Sequence, residues 1–201
     1  MEPQTDPLIF PETETMAAAA FIAGDWGTSH LRLSLCDAGG RVLESTHGPG
    51  IASSKGRVDE VFFEQIAVWD SHGKLPAMLS GMVGSTIGWR EAPYLPCPLR
   101  PDSIARGLLR FQACGRTIAL APGLSCRNRL DAPDVMRGEE TQILGAIRLE
   151  PSLMQGRQVL CLPGTHSKWV SLKDGVIEHF LTAVSGELYD ILHKHSVLVN
   201  N

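Results

Sequence analysis

The sequence predicts an α/β protein: a mixed sheet with flanking helices, built from one supersecondary unit that occurs twice, the second copy incomplete. Three observations carry this expectation. The apolar run Phe21-Ile22-Ala23 leads through the polar cluster Gly24-Asp25-Trp26-Gly27-Thr28-Ser29 into Leu31-Arg32-Leu33-Ser34-Leu35, whose period-2 alternation marks a half-buried strand. A second apolar run, Val159-Leu160-Cys161-Leu162, leads through Pro163-Gly164-Thr165-His166-Ser167 into Trp169-Val170-Ser171-Leu172. After each hairpin, apolar residues recur at helical spacing.

The elements follow in order. Residues 1–19 are rich in Pro, Thr and Glu, and residues 17–20 are too short an apolar run for a signal peptide or a span, so 1–19 read as a disordered extension. Beyond the opening hairpin, residues 41–44 form a third strand entered through the Gly39-Gly40 turn. Val58, Val61, Phe62, Ile66 and Trp69 make one apolar stripe on a helix that ends near Gly73. Residues 76–80 are a short buried strand running into Gly81-Met82-Val83-Gly84-Ser85, and a Pro-rich loop follows. A helix is expected over 104–114 and a strand over 117–121. Residues 139–149 place Ile143, Leu144 and Ile147 on one face of a helix with acidic residues in its first turn.

The pattern then restarts, with strands over 159–162, 169–172 and 176–181. A helix carrying Leu188, Ile191 and Leu192 follows, with Ser185 as its N-cap. Residues 20–150 thus read as a first domain and 151–201 as an incomplete second one. A half sheet of this kind leaves an uncovered edge and an apolar face.

Composition narrows the function classes. A chain of 201 residues, 43% hydrophobic and 20% charged, is that of a soluble globular protein. A net charge of −4 without a Lys/Arg stripe gives no reason to expect nucleic acid, and no stretch reaches membrane-spanning length, so small molecules are the expected partners. Cys36, Cys97, Cys114, Cys126 and Cys161 are odd in number and widely spread, which signals reduced core thiols in a cytoplasmic protein rather than disulfides or zinc.

The chemistry is concentrated in the two turns. A carboxylate at Asp25 followed by Gly27-Thr28-Ser29 offers a Mg²⁺-binding oxygen beside hydroxyl and backbone N–H donors for phosphate. An ordinary hairpin turn is the competing reading. The lysine and helix of a Walker loop are missing. The echo at Gly164-Thr165-His166 puts two such turns in one molecule.

Paired Gly-Thr hairpins of this kind resemble the actin-like ATPase (ribonuclease H-like) superfamily, whose sugar kinases grip nucleotide phosphates from two sides of a cleft. Ser80-Gly-Met-Val-Gly-Ser-Thr-Ile-Gly-Trp89, Ala92-Pro-Tyr-Leu95, Val135-Met-Arg-Gly-Glu-Glu-Thr-Gln142 and Leu162-Pro-Gly-Thr-His-Ser-Lys-Trp169 are similar, in that order, to the 2-dehydro-3-deoxygalactonokinase family. The resemblance spans residues 21 to about 200. It implies transfer of the γ-phosphate of ATP to the terminal hydroxyl of 2-dehydro-3-deoxy-galactonate, with ATP and Mg²⁺ as cofactors.

On that resemblance, Asp25 holds the metal, Gly27, Thr28 and Ser29 form the first phosphate clamp, and Gly164, Thr165 and His166 the second. Glu139 and Glu140 supply a catalytic or metal-linked carboxylate, and the Gly-x-Glu position that related phosphatases use favours Glu140. The helix dipole alone is reason enough for one of them. Arg137 neutralises phosphate or binds the sugar acid's carboxylate, with an ordinary surface arginine as the alternative. Arg32, Arg90 and Lys168 are further cations flanking the motifs. Gly84, Ser85 and Trp89 would meet the sugar, although for Trp89 and Trp169 a place in the core is the commoner case. Family members continue into a Gly-rich adenosine-binding segment that this sequence does not show. The expectation is a kinase cut within its nucleotide domain, weak or inactive unless a separate chain completes it. A sugar-acid-binding remnant and a phosphohydrolase are the alternatives.

Overall fold

The computed structural model describes residues 18–196, so residues 1–17 of the expected extension lie outside the described residues. β1 (Ala19–Trp26), β2 (His30–Asp37) and β3 (Val42–Pro49) form an antiparallel meander. Leu31, Leu33 and Leu35 point to one face and are buried, as their alternation requires. α1 (Val58–Ile66) covers that face with Val58, Val61, Phe62 and Ile66, and Trp69 extends the stripe on the next helical stretch, Ala67–His72. Each large apolar side chain fully buried here contributes about 1.5–3 kcal/mol by leaving water.

β4 (Ala77–Gly81) joins the sheet parallel to β1. The Pro-rich segment contains β5 (Tyr94–Pro96), a strand not legible in the sequence, and then α2 (Asp102–Arg106). β6 (Leu109–Ala113) and β7 (Arg116–Leu120) complete a six-stranded mixed sheet in the order β3-β2-β1-β4-β7-β6. The helix expected over 104–114 is therefore corrected: it stops at Arg106, and residues 109–113 are a strand. Leu109, Phe111 and Ala113 alternate towards the first core. The chain reverses at Cys114-Gly115, both at positive φ (48° and 75°), the geometry of a two-residue hairpin loop.

β8 (Gly123–Arg127) pairs with β5 and with β9 (Pro133–Met136) in a second, three-stranded sheet. α3 (Glu139–Leu149) forms where its periodicity placed it. β10 (Arg157–Leu162), β11 (Ser167–Lys173) and β12 (Val176–Ala183) repeat the opening meander, and α4 (Gly186–His195) follows. Ser185 precedes α4, but its hydroxyl meets the Ser167 hydroxyl instead of capping the helix.

Two apolar cores result. The first lies between α1 and the six-stranded sheet. The second combines Leu124, Met136 and Ile143 with Val170, Leu172, Ile177 and Phe180, so it crosses the boundary read at residue 150. β8, β9 and α3 pack against the second meander.

The expected apolar face is present. Val159 (68% exposed), Cys161 and Trp169 (48%) line the outer side of the β10–β12 sheet. Leu188, Ile191 and Leu192 of α4 are exposed as well. All five cysteines are free; Cys36 is buried, Cys97 and Cys126 are half-buried, and Cys114 and Cys161 are exposed, so the core-thiol reading holds only in part. Among the described residues no helix is long and apolar enough to cross a membrane.

Candidate active site

Asp25 stands at the end of β1, in register with Arg32 on β2 and Ser80 on β4. The carboxyl ends of adjacent parallel strands are where open α/β sheets bind ligands. β4 ends in Gly81, at φ 92°, where a Cβ would come 2.7 Å from Trp26 O and 3.5 Å from Asp25 Oδ1. Glycine therefore keeps the space beside that carboxylate open. Asp25 Oδ2 accepts from Arg32 Nη1 at 3.3 Å, a pair half in solvent and correspondingly weak.

The turn after Asp25 is braced from behind. Gly27 N–H donates to His30 O (2.9 Å), and the backbone N–H groups of Gly50, Ile51 and Ala52 donate to Ser29 O, Gly27 O and Thr28 O. A Cβ on Gly50 would collide with the Thr28 and Ser29 backbone. The second turn is held in the same way. Glu187 N–H donates to Thr165 O (3.0 Å), and a Cβ on Gly186 would collide with Gly164 O. In both units, then, a glycine just past the third strand seats the Gly-Thr turn. His166 Nε2 also meets Glu187 Oε2 at 2.5 Å.

These turns face one another across a cleft of about 380 Å³, lined by Asp25, Gly27 and Thr28 on one side and Gly164, Thr165 and His166 on the other. Ser29 lies in an adjoining cavity of about 540 Å³ with Thr28, Thr165, His166 and Glu187. The cleft also receives Glu139 and Gln142 from α3, and Tyr94, Arg137 and Lys168.

The two glutamates separate. Glu139 lines the cleft and accepts from the Arg137 backbone N–H at 3.0 Å. Glu140 is 0% exposed and is not part of the lining. Its Oε2 accepts from Gly138 N–H at 2.6 Å, and its Oε1 is buried without a partner among the described residues. Burial pushes the Glu140 carboxyl up to about 7. Adjacent helical residues point about 100° apart, so only one of the pair reaches the cleft.

The Arg137 guanidinium sits over the Tyr94 ring, its Cζ 4.3 Å from the ring centre, and its Nη2 donates to Ala92 O at 2.8 Å. Its Nη1 is buried with no partner among the described residues, and a Cβ on Gly84 would sit 2.9 Å from it. Gly84 thus makes room for the guanidinium instead of meeting a ligand directly. Ser85, Trp89 and Arg90 are not brought to the cleft. Ser85 Oγ donates to Met82 O within its own turn. Trp89 packs among Phe62, Phe63 and Phe111, and the Arg90 guanidinium sits over the Phe111 ring, 4.2 Å from its centre. Trp169 faces the opposite side of its sheet, towards Val159 and Leu181.

Sequence reasoning did not single out Tyr94, Gln142, Gly50 or Gly186. Gln142 had a signal, since it lies three residues after Glu139 on the same helix face. Tyr94 stood inside a quoted motif. The two bracing glycines had none, because their role exists only once the third strand folds back.

The family model for 2-keto-3-deoxy-galactonokinase matches residues 25–201. The chain belongs to that family. A curated relative from Rhizobium meliloti (strain 1021), named probable 2-dehydro-3-deoxygalactonokinase, is 39% identical over 184 residues, covering 90% of this chain and 58% of its own length. The 2-dehydro-3-deoxygalactonokinase of Escherichia coli (strain K12) is 38% identical over 181 residues, covering 90% of this chain and 59% of its own. A crystal structure from Sinorhizobium meliloti, described as a "putative 2-dehydro-3-deoxygalactonokinase protein", superposes with a TM-score of 0.79 at 37% identity. It covers 89% of this chain and 58% of that one. The chain therefore spans just under three fifths of the length of the family members it matches.

Proposed function

We propose that this chain carries the phosphate-gripping and sugar-acid-binding part of a kinase that phosphorylates the terminal hydroxyl of 2-dehydro-3-deoxygalactonate, built on an actin-like ATPase fold. One observation carries the reading: both Gly-Thr turns, a carboxylate at Asp25, a carboxylate at Glu139 and two cations converge on a single cleft.

Phosphoryl transfer is mainly positioning and charge neutralisation. Backbone N–H and hydroxyl groups of Thr28 and Ser29 hold phosphate oxygens from one side, beside Gly27, whose own N–H is bonded to His30 O and which leaves the turn open for close approach, and donors of Gly164, Thr165 and His166 hold them from the other. Asp25 fits a magnesium ion, which takes one or two carboxylates and otherwise phosphate and water, and the missing Cβ of Gly81 leaves room beside its Oδ1. When bound, that ion neutralises charge on the transferring phosphate. Glu139 accepts the proton of the attacking hydroxyl. Arg137 and Lys168 supply the positive charge that takes the sugar acid's carboxylate, the Arg137 guanidinium being seated over the Tyr94 ring.

The test is ADP release by the chain incubated with ATP, Mg²⁺ and 2-dehydro-3-deoxygalactonate. Release that requires the sugar acid supports the kinase. Release without it points to a phosphohydrolase, and calorimetric binding of the acid without release points to a binding protein.

A further inference from the structure

Lys168 is a cation nearly shut off from water: it is 7% exposed, yet it lines the cleft. Its ammonium donates to Val135 O and to Thr182 Oγ1, each at 2.7 Å. An ammonium has three N–H donors and no acceptor, so one donor remains after these two. Thr182 stands opposite Lys168 in the β11–β12 register, and its Oγ1 also lies 2.5 Å from Asp134 Oδ1.

The direction of both bonds follows from the partners. Lysine only donates and a carboxylate only accepts, so the Thr182 hydroxyl accepts from Lys168 and gives its own hydrogen to Asp134. Asp134 is itself held. Its Oδ2 accepts from Thr182 N–H at 2.8 Å and from Asn128 Nδ2 at 3.2 Å. Burial works to raise the Asp134 carboxyl, but the hydrogen bonds from Thr182 and Asn128 and the Lys168 charge outweigh it and hold the group below the usual carboxylate range. An ionised Asp134 at one end and an ammonium at the other polarise the hydroxyl between them.

We propose that Asp134 and Thr182 are positioning residues for Lys168, forming a relay that fixes the ammonium so that its third N–H meets an anionic oxygen in the cleft. A donor already locked in place needs little reorganisation when the anion arrives. The identity of that anion as the sugar acid's carboxylate rests on the proposed function above. A purely structural role, pinning β9 to β12, would disturb both ligands and the fold together.

Three variants separate these roles. Thr182→Val removes the hydroxyl while keeping the shape, Asp134→Asn removes the charge, and Thr182→Ser keeps the hydroxyl. In calorimetric titration of the chain with 2-dehydro-3-deoxygalactonate, Thr182→Val and Asp134→Asn are expected to weaken binding about tenfold or more. ATP–Mg²⁺ binding should be unchanged, and Thr182→Ser should restore the affinity. Equal weakening of both ligands, or a serine variant no better than valine, overturns the proposal.

A second readout needs no substrate. In proton–nitrogen spectra of lysine ammonium groups, the Lys168 signal, identified by its absence in Lys168→Arg, is expected in the wild-type chain and lost in Thr182→Val. A signal unchanged in Thr182→Val overturns the relay. Loss of the signal in a chain whose wild type does not bind the sugar acid supports the relay and removes the substrate reading instead.

Discussion

Glu140→Gln is expected to stabilise the protein at pH 8 and to change little at pH 5. The carboxyl is fully buried, and burial lifts it from an ordinary 4.5 to about 7. Between those values the folded chain holds a proton that the unfolded chain releases. The contribution of Glu140 to stability is therefore greatest below about pH 4.5, falls as pH rises towards 7, and levels off above it. At about 1.4 kcal/mol per pH unit, the full effect is about 3 kcal/mol above neutrality and below about 1 kcal/mol at pH 5. Glutamine keeps an oxygen for the Gly138 N–H and has no charge to desolvate. Urea unfolding of both proteins at pH 5 and pH 8, followed by tryptophan fluorescence, measures the difference. Parallel pH dependence in the two proteins would show that Glu140 is not the buried titrating group.

Asp25→Asn should abolish Mg²⁺-dependent ADP release while moving stability by less than about 1 kcal/mol, because its pair with Arg32 is half-exposed; turnover and thermal melts check both halves. Gly50→Ala and Gly186→Ala each force a methyl group into the backbone of a Gly-Thr turn. Each should cost about 1–3 kcal/mol by overpacking and weaken ATP binding in calorimetry, whereas unaltered affinity would separate the turns from the phosphates. Arg137→Lys loses the guanidinium's seat over Tyr94 and its bond to Ala92 O. It should raise KM for the sugar acid about tenfold or more with a smaller effect on kcat.

Much of the fold was legible because it rests on local patterns. Alternation at Leu31, Leu33 and Leu35 named a strand, the stripe Val58-Val61-Phe62-Ile66 named a helix, and the structure has both. The failure at residues 104–114 is equally local in cause. Leu109, Phe111 and Ala113 are too short a series to outweigh the apolar content around them, and the Cys114-Gly115 reversal lacks the Asn-Gly or Asp-Gly pair that announces such turns. β8 and β9 carry mixed polar and apolar residues whose burial depends on the second meander, which lies later in the chain.

The two meanders, α1, α3, the repeated Gly-Thr turn and the carboxylate at Asp25 were legible in the chain's local patterns, because each depends on residues close together along it. Which groups line the cleft follows from long-range packing. It turned Glu139 in and Glu140 away, gave Trp89 to the core, set Arg137 on Tyr94, and tied Lys168 through Thr182 to Asp134. Those choices hang on contacts between residues far apart in sequence, where packing and hydrogen-bond satisfaction, not local propensity, fix the direction of each side chain.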